Sequence, residues 1–253
     1  MITKKYPKYM DFAAPAVAIV IILGIWEAIT RIFQISEKLL PAPSAIFASL
    51  VHNFADVISV DLMISVQNIL LGYLIAVPVG FAIAMICSQF KFVIHAATPV
   101  LIILMVTPMA TLVPVFKLFY GATSFLKIVV IVLQTAPVIA LNSLTGFSSP
   151  PKNNVDVLRA MGCGRWRTFF KAAVPNAMPQ VFTGLKLGCI LGTIASMVAD
   201  MAVGQGGLGY RIQVYASFAA TASAFATILI AAALGVVLFQ IVSLIERLAT
   251  TWN

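Results

Sequence analysis

The chain has 253 residues, of which 61% are hydrophobic and only 9% are charged. Its mean hydropathy of +1.04 lies far outside the range of soluble globular proteins. At about 20 apolar residues per membrane crossing, this length accommodates about five to seven spans and leaves little for a soluble domain. The net charge of +8 is of the kind that cytosolic loops of membrane proteins supply, so it does not by itself indicate a nucleic acid partner.

Six apolar segments predict six transmembrane helices. They are expected at about residues 12–30, 62–87, 92–118, 125–147, 181–203 and 221–244. Between the first two, a turn at Leu40–Pro43 predicts a short surface helix capped by Ser44. The third segment carries Pro99, Pro108 and Pro114, which predicts a bent or interrupted helix because proline removes a backbone donor. The fifth carries Gly184, Gly188 and Gly192 at a spacing of four, which is typical of close helix packing.

The distribution of charge predicts that both termini lie in the cytosol. In this orientation eleven of the sixteen lysines and arginines fall in cytosolic segments, among them Lys4, Lys5 and Lys8. Lys117 and Lys127 then lie close to the outer ends of spans, from which a long side chain can reach the interface. We therefore expect six spans, with the loop between the fourth and fifth on the cytosolic side.

That loop, at about residues 148–180 and here called the basic loop, is the most distinctive part of the sequence. It contains five cations and one acid, Asp156, so its net charge is +4, and it lies between two apolar segments. Apolar and charged residues at helical spacing predict a short amphipathic helix, broken by Gly162 and Gly164, and Pro175 is expected to end the unit. Aromatic side chains form a second apolar patch, and tryptophans are expected at the interface or against a partner: Trp166, Phe169, Phe170 and, near the end of the chain, Trp252.

The basic loop resembles the cytoplasmic loop of ABC-importer permeases, the inner-membrane components of binding-protein-dependent transport. The pattern is an acid, a glycine and a later proline, which correspond to Asp156, Gly162 and Pro175. The family usually has Glu-Ala-Ala or Glu-x-Ala at the start, whereas this chain has Asp156-Val157-Leu158. The acidic charge is therefore kept and the small third residue is not.

More of the chain resembles the nitrate, sulfonate and taurine branch of these permeases. The matching segments, in order, are Leu40-Pro41-Ala42-Pro43, then Pro108, Pro114 and Gly121, then Ala199-Asp200-Met201 with Gly207-Leu208-Gly209-Tyr210, and finally Glu246-Arg247. Relatives often carry arginine where this chain has Asn68 and Met105, and glutamate where it has Asp200. The loss of two cations leaves room for a less charged solute, such as the thiamine-precursor pyrimidines or riboflavin that the branch also transports.

The resemblance implies an all-α, type I ABC-importer permease in a single domain, residues 1–253, within a bacterial or archaeal cytoplasmic membrane. It implies a dimer of permeases, two cytosolic ATPase subunits that bind ATP and Mg²⁺, and an extracytoplasmic binding protein. The chain itself has no Gly-x4-Gly-Lys-Ser/Thr loop, so no cofactor and no enzymatic activity are expected in it. The residues that would couple the ATPase to transport are Asp156, Val157, Leu158, Arg159, Met161, Gly162 and Pro175.

Polar residues within apolar segments are candidates for the solute pathway, since they are costly against lipid. These are Thr107, Thr111, Gln134, Asn142, Thr193 and Ser196. Each hydroxyl can instead bond to the backbone of its own helix. Asp200 is interpreted as a gate or a contact to the binding protein, with an interface acid as the simpler alternative.

Two other classes of protein remain to be weighed. A gradient-driven transporter or channel needs ionisable residues near the middle of the membrane, and this sequence places only Lys186 and Asp200 toward span ends. A membrane enzyme needs a metal or nucleophile cluster, and His52 and His95 are isolated in the sequence. Composition and spacing therefore argue against both classes, and the resemblance implies a transport subunit driven by a separate ATPase.

Overall fold

The computed structural model describes residues 10–54 and 58–250, which form helices and no strands. Lys4, Lys5, Lys8 and Trp252 lie outside the described residues. The helices are α1 (Met10–Ile32), α2 (Pro43–Asn53), α3 (Ser59–Ser88), α4 (Lys91–Val106), α5 (Met109–Tyr120), α6 (Ser124–Phe147), α7 (Lys152–Ala160), α8 (Arg165–Thr168), a π-helical turn (Phe169–Ala173), α9 (Val174–Val203), α10 (Leu208–Ser217) and α11 (Thr221–Ala249). The protein is therefore an all-α membrane protein, as the sequence predicts.

Four helical segments in the described part of the chain are long and apolar enough to cross a membrane: α3, α6, the continuous stretch Arg165–Val203, and α11. Helices α4 and α5 meet at 88° and together make one further span or a re-entrant segment. The break falls at Thr107 and Pro108, because the residue before a proline is driven to extended backbone. The predicted interruption is thus confirmed. Helix α1 covers the first predicted span, and the total of six remains a prediction.

The boundary predicted at Pro175 is wrong. Helical backbone continues from Arg165 through the π-helical turn into α9, for 39 residues. Pro175 is the second residue of α9 and directly follows the π-helical turn, so the proline does not end the helical stretch. The helix therefore begins well before residue 181, where the sequence predicts the fifth span, and joins it directly to the basic loop.

The chain forms two compact units, one from the part before Val60 together with Ile212–Leu229, the other from Val60–Arg211 together with the chain from Ile230 onward. In the first unit, Ser44 does not cap α2, since the capping position is Ala42. The Glu27 carboxylate instead accepts from the Ser44 amide at 3.0 Å and from its hydroxyl at 2.7 Å. A carboxylate from α1 thus replaces the cap predicted in α2, and Arg31 pairs with it at 2.6 Å.

Helices α6 and α9 pack antiparallel at the centre of the second unit. The glycine stripe of α9 faces α6, and a Cβ at Gly188 or Gly192 would lie 3.0 Å from Thr135. A Cβ at Gly184 would lie 2.8 Å from the Asn142 Cβ. The predicted packing role of these glycines is therefore confirmed: they bring two backbones close together.

Candidate functional site

Helix α7 presents an apolar surface at the start of the basic loop. Val157 is 59% exposed and Met161 75% exposed, whereas Leu158 is only partly exposed. On a helix of nine residues, Val157 and the capping residue Met161 share the outward face, and Leu158 turns inward. The helix ends where Gly162 takes φ +75°, a conformation that favours glycine. Asp156 is exposed on the flank of this face, and Arg159 is exposed on the opposite side of the helix.

An aromatic cluster fixes the second half of the basic loop to the membrane helices. Phe169 is buried, with its ring centroid 5.2 Å from that of Phe147 in α6 and 6.2 Å from that of Trp166. Phe170 stacks on Trp166 at 6.3 Å. Trp166 itself remains 55% exposed, which leaves its ring available to lipid or to a partner. The loop is therefore anchored at the π-helical turn and exposed at α7.

A cluster of charged and polar groups lies at the opposite end of α9. Lys127 and Asp200 are both fully buried and pair at 2.8 Å. The Lys127 ammonium also donates to the Gly206 carbonyl at 2.7 Å, and the Ser65 hydroxyl donates to Asp200 at 2.7 Å. Side chains from α3, α6 and α9 thus contact one another around one ion pair. The expectation that Lys127 extends to the interface is wrong, because its charge is satisfied inside the protein.

The same cluster holds the glycine-rich segment Gly204–Gly209. The Gly207 amide donates to Asp61 at 2.7 Å, and the Leu208 amide donates to Ser65 at 2.8 Å. Arg211 completes the arrangement by pairing with Asp61 at 2.5 Å. Gly207 has φ +102°, and a Cβ there would collide with the Asp200 carboxylate. The Asp200 side chain is therefore buried beneath this segment, and its role as a gate or a contact to the binding protein stays a prediction.

The predicted pathway residues are distributed over several environments. Thr107, Thr111, Asn142 and Thr193 each hydrogen-bond to a carbonyl of their own helix region, at 2.7 to 2.9 Å. Gln134 is partly exposed. The buried Ser196 hydroxyl has no hydrogen-bond partner among the described residues, and it lies one helical turn before Asp200. The role of these six residues in a solute pathway stays a prediction.

Sequence reasoning missed Lys127, Asp61, Ser65 and Arg211 as members of one cluster. The sequence feature that could have indicated this cluster is the position of two charges: Lys127 lies near the start of one apolar helix and Asp200 near the end of another. Antiparallel packing of those two helices places both charges at one end. Choosing that pairing among several required the packing order of the helices, which hydropathy alone does not provide.

Comparisons with known proteins identify the class of protein to which this fold belongs. Residues 76–250 match the family described as binding-protein-dependent transport system inner membrane component, and the chain belongs to this family of ABC-importer permeases. It is 24% identical to the formylaminopyrimidine transport permease of Halalkalibacterium halodurans over 94% of this chain and 95% of that protein. It is 26% identical to a nitrate import permease of Synechococcus elongatus, over 82% and 78% of the two chains. It is 23% identical to the taurine transport system permease of Escherichia coli, over 92% and 87%. The protein is thus a multi-pass inner-membrane transport subunit.

Proposed function

We propose that two copies of this permease form the membrane pathway of an importer that two cytosolic ATPase subunits drive. An extracytoplasmic binding protein would deliver a small solute, and ATP-driven closure of the ATPases would switch the pathway between outward and inward access. The two access states would differ in their contacts at the ATPase and at the solute, as coupling between distant sites requires. ATP and Mg²⁺ would be bound by the ATPase subunits.

The observation that carries this proposal is the exposed apolar face of α7. Val157 and Met161 leave large apolar surfaces unburied in a loop whose other exposed residues are mostly charged or polar. Such a face is stabilised when it enters a groove of a partner. The 39 helical residues from Arg165 to Val203 provide a continuous element through which displacement of the loop reaches the membrane.

The test is co-purification of the ATPase subunit with the permease from membranes in a mild detergent. Val157→Asp places a charge on the outward face and should abolish retention of the ATPase, while Val157→Leu should keep it. Gly164→Asp adds the same charge in the same loop but outside α7, at an exposed position where an added Cβ meets no atom within 4 Å, and serves as the matched control. Equal retention by wild type and Val157→Asp would refute this role for α7. Absence of any ATPase with the wild type would favour a gradient-driven carrier.

For the solute, we propose a small molecule without a strong negative charge, such as the formylaminopyrimidine named for one relative. Lys127 in α6 and Lys186 in α9 are both ion-paired, the latter with Glu246 at 2.8 Å, and Lys117 in α5 donates to the Ala202 carbonyl at 2.7 Å. Asn68 is 5% exposed and uncharged. The two buried or half-buried lysines of α6 and α9 are thus neutralised by carboxylates, which favours a solute without a strong negative charge. Uptake by the reconstituted importer of formylaminopyrimidine, taurine and nitrate in parallel tests this proposal, and transport of nitrate alone would refute it.

A further inference from the structure

A cavity of about 540 Å³ lies between the inward face of the basic loop and the ends of α3 and α6. Its volume is within the roughly 300–1,000 Å³ typical of sites for small ligands. Arg159 and Arg165 line it together with Ser88 and Gln89, and no carboxylate is among its lining residues. The cavity is therefore positively charged and offers several hydrogen-bond donors.

The two arginines line this cavity without a carboxylate partner among the described residues. The Arg165 guanidinium lies 4.9 Å from the centroid of the Phe90 ring, a cation–π contact that directs it to the junction of α3 and α4. Neither Arg159 nor Arg165 forms an ion pair with any residue in the described ranges. Two guanidinium groups at one cavity attract an anion, and their planar donors match phosphate oxygens in a bidentate manner.

The remaining wall of the cavity is apolar. The aromatic residues Phe147 and Phe169 and the aliphatic Ile94 form this part of the lining. A site with cationic and hydroxyl groups on one side and hydrocarbon on the other fits an anionic headgroup whose chain lies along the membrane helices. Basic pockets between membrane helices on the cytosolic side bind phosphate-bearing lipid headgroups in this way.

We propose that this cavity binds a phosphate group, held by Arg159 and Arg165, with the headgroup of an anionic phospholipid as the source that its apolar wall favours. The inference rests on the proposed function only in placing the basic loop on the cytosolic face. Bound phosphate would stabilise α7 through its inward side, which carries Arg159. The outward face, with Val157, would remain free for the ATPase.

The experiment measures thermal stabilisation of the purified full-length permease by three probes. These are phosphatidylglycerol, phosphatidylcholine with the same acyl chains, and inorganic phosphate. We expect phosphatidylglycerol to stabilise the wild type more than phosphatidylcholine does. In the double variant Arg159→Gln/Arg165→Gln, the apparent affinity for phosphatidylglycerol should fall at least about tenfold, with smaller losses in the single variants. Stabilisation by inorganic phosphate with the same dependence on arginine would support the site and identify a soluble anion as its ligand.

Arg167→Gln is the matched control, because Arg167 is exposed in the same loop and does not line the cavity. An equal loss in this variant would overturn the proposal, since general attraction to a basic surface would then explain binding. Equal stabilisation by both lipids, or an unchanged double variant, would also overturn it. Loss of the ATPase without loss of lipid in the double variant would assign the arginines to the ATPase interface. That result would not contradict the proposed function, which is tested separately by the retention of the ATPase in Val157→Asp.

Discussion

Substitution of Lys127 by methionine tests whether the buried ion pair stabilises the permease. Methionine retains much of the volume of lysine and removes the charge, so Asp200 stays buried with no cation 2.8 Å away. The Gly206 carbonyl also loses its donor at 2.7 Å. Removing one partner of a buried pair costs about 3–5 kcal/mol, because the remaining charge is neither hydrated nor compensated.

A loss of this size should lower the Tm of the purified permease on the order of 10 °C, from the dependence of Tm on free energy in domains of this length. The double variant Lys127→Met/Asp200→Asn removes both charges. It should recover much of the loss, since an amide oxygen still accepts from Ser65 and no unpaired buried charge remains at this position. The assay is thermal unfolding of the full chain in detergent, read by a fluorescent thiol dye or by light scattering.

Lys117→Met is the control for this experiment. Lys117 is exposed, and its ammonium donates to the Ala202 carbonyl at 2.7 Å without a carboxylate partner. We expect its removal to change Tm little, as is usual for exposed charges. A Tm for Lys127→Met equal to that of Lys117→Met would refute the reasoning. The same conclusion would follow if the double variant were no more stable than Lys127→Met.

Two further substitutions test the close contacts of α9 and the segment that follows it. Gly207→Ala should destabilise the permease by more than 1 kcal/mol, because φ is +102° and the new Cβ would meet the Asp200 carboxylate. Unchanged thermal unfolding would show that the segment adapts freely. Gly188→Val should separate α9 from α6, where Thr135 lies 3.0 Å from the site of a Cβ, and should lower Tm by several degrees. Gly164→Ala, at a position with no neighbouring atom within 4 Å, is its control and should unfold like the wild type.

The sequence was sufficient to predict the membrane helices that are continuous apolar runs. Helices α3, α6 and α11 begin and end within a few residues of the predicted spans, because a long run of apolar side chains has no other stable placement. The interruption at Pro108 was also predictable, since proline restricts the residue before it. These features depend on local chemistry alone.

Features that depend on tertiary packing were not predictable in the same way. The sequence places Phe169–Ala173 in the basic loop, yet burial of Phe169 against α6 keeps this segment helical and joins it to α9. Likewise, Asp61 and Arg211 are separated by 150 residues, and their pairing follows only when α3 and the segment after α9 are neighbours. Which charged residues pair over such a distance in sequence is determined by how the helices pack. Without the fold, the sequence allows many different pairings.

Helix α9 connects the basic loop with the ion cluster around Asp200. At one end it continues through the π-helical turn into the basic loop, and at the other Asp200 holds the glycine-rich segment. If the two ends serve different purposes, substitutions at them should have separable effects. Lys127→Met should lower Tm while retaining the ATPase at low temperature, because α7 is untouched. Val157→Asp should lose the ATPase with an unchanged Tm, because Val157 is exposed and packs against little. If each substitution produced both effects, the basic loop and the ion cluster would form one cooperative unit and not two independent regions.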